Sequence, residues 1–129
     1  PIVRESYLVT GGSGFLGRAL VEKLLERGEL NARAGFALAA LLRFCSCKRF
    51  NAAVFIQVRV LDVQQTYEDD RVHFIIGDVS VPDICKEACK DVDVVFHAAS
   101  LTNPWADYDA FHRVNIIGGI MSIMDVRKH

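Results

Sequence analysis

The chain has 129 residues, enough for one domain and too few for two. Lys and Arg number 15 against 16 Asp and Glu, a formal net charge of −1, which gives no general attraction to nucleic acid or anionic lipid. Apolar residues make up 51%, so a packed core can form; no run reaches the roughly 18 apolar residues of a membrane-spanning helix, and residues 1–4 carry no basic-then-apolar leader pattern.

Tyr7, Leu8, Val9 and Thr10 precede Gly11 and Gly12, which predicts a buried strand running into a tight turn. Over residues 15–27, Leu16, Ala19, Leu20 and Leu24 recur at three and four, with charges on the other face. That spacing predicts an amphipathic helix, with Gly28 as its stop. Residues 58–62 read as a second strand ending in Asp62, and residues 71–76 as a third, closed by Gly77 and Asp78. Ser80, Pro82 and Asp83 mark a helix start with Ser80 as the cap, and that helix runs to about Lys90. Residues 92–97 form a fourth apolar strand, Asn103 and Pro104 break the chain, and a last helix begins near Asp107.

The order is β-α-β-β-α-β-α. Apolar strands without alternation are buried on both faces, so the expected fold is α/β. It corresponds to the N-terminal half of a Rossmann-type doubly wound parallel sheet, about four strands where a complete one has about six. One segment departs from this order. Between Leu30 and Leu61 there is no Asp or Glu, while Arg33, Arg43, Lys48, Arg49 and Arg59 all fall there, and residues 34–42 are apolar on every side of a helical wheel. An interfacial membrane segment, an extra buried helix and an insertion foreign to the fold compete, and the abrupt shift favours an insertion near 29–57.

Four of the nine glycines lie between positions 11 and 17, and Gly12-Ser13-Gly14-Phe15-Leu16-Gly17 spells G-x-G-x-x-G between a strand and a helix. Gly11 and Gly12 allow the sharp turn, Gly14 lets a pyrophosphate approach the backbone, and Gly17 lets the helix pack tightly on the strands. The helix N-terminus offers free N–H groups and a positive dipole end. No G-K-[ST] follows, which excludes an ATPase-type phosphate loop. Asp62, at the end of the second strand, suits the ribose hydroxyls of NAD and repels the 2′-phosphate of NADP. It stands 45 positions after Gly17, where roughly 20 are expected, a second sign of insertion. Asp78 is divided between an adenine acceptor and a turn cap, and Ala98 and Ala99 are small enough for a cofactor to lie across them. His97 reads as a structural strand-end residue. Cys45, Cys47, Cys85 and Cys89 lack zinc-ligand spacing and read as reduced thiols of a reducing compartment, so no metal is expected.

Together these residues resemble the extended short-chain dehydrogenase/reductase group. Thr10 to Gly17 match its T-G-x-x-G-x-x-G; Val60-Leu61-Asp62-Val63, Gly77-Asp78-Val79, Val95 to Ala99 and Val114 to Gly118 match its later landmarks in order. Within the group the chain is most similar to the 3β-hydroxysteroid dehydrogenase/isomerase family, and the short gap from Asp62 to Gly77 resembles its sterol 4-carboxylate branch. The resemblance implies NAD-dependent oxidation of a 3β-hydroxysteroid or sterol. Gly11, Gly14, Phe15, Leu16, Gly17, Asp62, Asp78 and Val79 would bind the cofactor, Ala98 and Ala99 would line it, and Asn115 would support the site. It also implies a cytoplasmic location or the cytoplasmic face of the endoplasmic reticulum, a membrane with which the family is often associated through parts outside this chain.

The group's proton-transfer pair, Tyr-x-x-x-Lys, is absent: Tyr7, Tyr67 and Tyr108 are followed four residues later by Gly11, Arg71 and His112. No catalytic residue is therefore assigned, and the chain is expected to be the N-terminal, cofactor-binding part of such an enzyme. A non-catalytic nucleotide-binding or regulatory module, a nucleotide-sugar epimerase or reductase of the same group, and an enzyme using His97 or His112 as base are the alternatives.

Overall fold

The computed structural model describes residues 3–42 and 54–119. Strands β1 (Val3–Thr10), β2 (Val54–Asp62), β3 (Val72–Ile76) and β4 (Val94–His97) form one sheet in the order β3-β2-β1-β4. All neighbouring pairs are parallel. Helix α1 (Phe15–Leu42) joins β1 to β2, and α2 (Pro82–Cys89) joins β3 to β4. Helix α3 (Tyr108–Phe111) runs on into a π-helical turn, His112–Ile117. The expected element order and fold class are the observed ones.

Alternate residues along each strand feed two cores. Tyr7 and Val9 of β1, with Val58 and Val60 of β2, pack against Val21, Leu24 and Leu25 of α1. Leu8 and Leu61 point the other way, against Cys85, Ala88 and Cys89 of α2. A sheet with helices on both faces needs apolar residues at successive positions, which is why Tyr7 to Val9 and Val60 and Leu61 are apolar without alternation.

Three local expectations give way. Helix α1 does not stop at Gly28. Ending a helix on glycine requires a left-handed residue, and Gly11 is the glycine with positive φ among the described residues. Gly28 instead lets α1 approach β2: a Cβ there would lie 3.3 Å from the Cβ of Ile56. Strand β2 begins at Val54 because Val3 to Ser6 of β1 offer it partners, Val3 pairing with Val54 and Ser6 with Gln57. The cap of α2 is Val81 without a side-chain bond, while the Ser80 N–H is taken by Asp78 Oδ1 at 2.8 Å. The segment near 29–57 thus falls partly on α1 and partly on β2, and residues 43–53, with Cys45 and Cys47, lie outside the described residues. Among those described, no helix is long and apolar enough to cross a membrane.

Leu8 is fully buried at the centre of the sheet. Truncating it to Ala is expected to cost about 2–5 kcal/mol, read as a lower urea midpoint with an unchanged slope.

Candidate functional site

Parallel strands bring their C-terminal ends to one edge, and the chain order reverses between β1 and β4. A ligand crevice belongs at that point. There a cleft of about 390 Å³ is lined by Gly11, Ser13 and Gly14, by Asp62, Asp78 and Val79, and by Ala98, Ala99 and Leu101.

Gly11 ends β1 with φ +68°, and its N–H donates to Leu61 O at 2.8 Å. A Cβ at this position would stand 2.6 Å from Ala99 N, so only glycine lets the chain leaving β4 pass this close. A Cβ on Gly17 would collide with the Gly11 carbonyl. Its close approach is therefore to the loop itself, not to the strands as its place in the motif suggested; Gly28 takes the helix-on-sheet contact.

Two peptide groups of the loop are tied at both ends. The Ser13 N–H donates to Asp62 Oδ2 at 2.9 Å, and Gly12 O accepts a long bond, 3.4 Å, from the Tyr67 hydroxyl. The Gly14 N–H donates to Gly11 O at 3.1 Å, and Ser13 O accepts from Thr66 Oγ1 at 3.1 Å. Helical bonding starts with the Arg18 N–H to Gly14 O at 2.9 Å, so the N–H groups of Phe15, Leu16 and Gly17 precede the ladder. Phe15 and Leu16 expose their side chains and neither residue lines the cleft; their main-chain N–H groups follow directly on Gly14, which does.

Asp62 spends one carboxylate oxygen on Ser13 and leaves the other for a ligand. Asp78 lines the cleft while its Oδ1 holds the turn before α2, so it serves the turn and remains at the site. Thr10 is fully buried; its Oγ1 accepts the Ala99 N–H at 3.2 Å and meets His97 Nδ1 at 2.8 Å. This bond orients the His97 ring, and desolvation lowers the imidazole pKa below its ordinary value. Asn115, carried on the π-helical turn, grips the chain beyond β4: Oδ1 accepts the Leu101 N–H at 2.8 Å, and Nδ2 donates to Leu101 O at 3.1 Å. Both bonds are to the backbone of Leu101 in the cleft wall.

The tyrosines stand apart. Tyr7 bonds Glu5, which with burial raises its pKa; Tyr67 lies on the glycine loop, its pKa raised by burial; Tyr108 is exposed. Cys85 and Cys89 are buried in the α2 core, and no group of His, Cys, Asp and Glu suited to a metal occurs among the described residues. Sequence reasoning missed Thr66 and Tyr67, because a connection without periodicity gives no sign of where it docks.

The family model described as "Male sterility protein", an NAD-binding family, matches residues 9–125. The chain is 33% identical over 122 residues to the 2-alkyl-3-oxoalkanoate reductase of Stenotrophomonas maltophilia, covering 95% of this chain and 29% of that protein. It is 36% identical over 110 residues to the sterol-4-alpha-carboxylate 3-dehydrogenase (decarboxylating) of Mus musculus, covering 85% of this chain and 23% of that protein. Among solved structures it is similar to uronate dehydrogenase from Agrobacterium tumefaciens, with a TM-score of 0.67 at 16% identity over 98% of this chain and 37% of that one. The chain therefore spans under a third of the curated relatives' length.

The depressed His97 pKa has a definite sign. The fold favours the neutral ring, so this contribution to stability is complete above the unfolded value of about 6.5 and is lost as pH falls through the folded value. An NMR titration should place the ring's midpoint below about 6.5, and His97→Gln should remove that part of the acid-side loss in urea midpoint.

Proposed function

The chain belongs to the NAD-binding family described as Male sterility protein, within the extended short-chain dehydrogenase/reductase group, and from that premise we propose that it binds NAD across the C-terminal edge of its sheet. The observation that carries this reading is the pairing of opposite needs in one cleft. The main-chain N–H groups of Phe15, Leu16 and Gly17 at the start of α1 suit a pyrophosphate, and the second oxygen of Asp62 suits ribose hydroxyls. The bare backbone of Gly14, where a Cβ would meet only Gly11 O at 3.3 Å, leaves the phosphates room to approach. Asp78 and Val79 would flank the adenine, and Ala98 and Ala99 the path toward the nicotinamide.

Bound NAD supplies a hydride acceptor. Asp62 would select the ribose, Gly11 and Gly17 would keep the loop closed, and Asn115, bonded to Leu101, would fix the wall of the cleft. A carboxylate facing the ribose disfavours a 2′-phosphate, so NAD is preferred over NADP.

For substrate we propose a 3β-hydroxysteroid or sterol, on the likeness to the sterol dehydrogenase. A second reading comes from the reductase at similar identity. The substrates these two enzymes are named for share one chemistry, a hydroxyl or ketone on the carbon next to the one that bears a carboxylate and a further carbon substituent. A 3-hydroxy acid branched at carbon 2 covers both, and a 4-carboxysterol is one member of it.

Two outcomes are expected. Calorimetric titration should show NAD binding at least about tenfold tighter than NADP, with the gap narrowed in Asp62→Ser; equal affinities would overturn the assignment of Asp62. With NAD and a 4-carboxysterol or a branched 3-hydroxy acid, the 129-residue chain should produce no NADH, since none of its tyrosines is followed by Lys at the fourth position. Substrate-dependent NADH formation would place a working proton acceptor within these residues.

A further inference from the structure

The connection between β2 and β3 is residues 63–71, without a helix. Parallel strands are ordinarily joined by a dozen or more residues, so this is a short crossover. It carries no helix to cover a face of the sheet; it leaves the C-terminal edge past the glycine loop and returns beside α1, where Arg71 meets Glu29, to the start of β3 opposite Val58. Tyr67 is seated by an edge-on contact with Phe74, centroids 5.0 Å apart, and by the Arg18 guanidinium 4.8 Å above its ring. Gln65 Nε2 donates to Tyr67 O at 2.9 Å and braces the backbone.

From this position the connection reaches the two carbonyls of the glycine loop that nothing within the loop satisfies. We infer that Thr66 and Tyr67 are positioning residues for the cofactor: their hydroxyls, bonded to Ser13 O and Gly12 O, lock the planes of two successive peptides. The first of these peptides is tied from its other side by Asp62, and the second by Gly11 O. With both planes fixed, the chain enters α1 in one orientation, and the N–H groups of Phe15 and Leu16 are aimed before any anion arrives. A site already oriented loses less freedom on binding. The role concerns the phosphates and, through Asp62, the ribose; the adenine end, at Asp78 and Val79, makes none of these bonds.

This inference rests on the NAD reading, and the test separates the two. Thr66→Val and Tyr67→Phe remove a hydroxyl and keep shape, including the Phe74 and Arg18 contacts. Thr66→Ser keeps the hydroxyl. Each full chain is titrated with NAD and with adenine, which lacks both ribose and pyrophosphate, and hydrogen exchange is followed at the Ser13 and Gly14 amides. Thr66→Val and Tyr67→Phe should each weaken NAD by about three- to tenfold, the worth of one hydrogen bond, while adenine changes less than about twofold. Exchange at Ser13 and Gly14 should quicken in both, and Thr66→Ser should restore wild-type behaviour. A parallel loss of NAD and adenine, or unchanged exchange, would overturn the positioning role. Should the wild-type chain bind no NAD, the cofactor reading fails, and the exchange rates alone decide whether the latch exists.

Discussion

The cleft depends on a single reversal of backbone sign at the end of β1. Gly11 takes φ +68°, and this one residue turns the chain out of the sheet and back toward α1. Its N–H remains in the sheet through Leu61 O, its carbonyl closes the loop through Gly14, and the space where its side chain would be is filled by the backbone of Ala99. Three neighbours are thereby fixed by one absent Cβ: β2, the start of the helix, and the chain leaving β4. Gly17 belongs to the same constraint, since its missing side chain is what the Gly11 carbonyl occupies. The glycine pattern is thus less a set of independent permissions than one packed turn seen at two positions.

Around that turn the sheet divides its labour by length. The stretches just before the strand ends feed the two helix-facing cores and hold the fold, with Tyr7, Val9, Val58 and Val60 on one side and Leu8 and Leu61 on the other. Polar side chains gather at the C-terminal edge and bond to backbone there: Asp62 to Ser13, Thr10 to Ala99, Asp78 to Ser80, Asn115 to Leu101. None of these holds an element against the core. Each fixes a loop at the rim of one cleft, so the polar bonds of this edge act on the shape of the site more than on the burial that stabilises the domain.

The element order and the parallel arrangement were legible because the central strands, where they are buried on both faces, are apolar at successive positions, Tyr7 to Val9 in β1 and Val60 and Leu61 in β2. The cleft residues Gly11, Gly14, Asp62, Asp78, Ala98 and Ala99 were legible for a related reason: each stands at a strand end, where residue type changes abruptly from apolar to small or acidic. What was hidden depends on partners distant in sequence. Gly28 stands where a stop would, yet Ile56 decides its role. The start of β2 is set by β1, whose residues Val3 to Ser6 extend the pairing back to Val54. Ser80 has the composition of a cap, but the carboxylate of Asp78 reaches its N–H and shifts the cap by one residue.

The same reasoning explains why the short β2–β3 connection bears on the site at all. Nine residues extended reach at most about 30 Å, and the route must return from the end of β2 to the start of β3. A longer crossover would carry an amphipathic helix and bury it on a face, adding to the core and leaving the edge free. A short one has no helix to bury; the Tyr67 ring seats it on Phe74, and the hydroxyls of Thr66 and Tyr67 meet the carbonyls of Ser13 and Gly12. Shortening the crossover therefore exchanges core for preorganisation: the connection gives up burial on the face and becomes part of the wall that orients the loop.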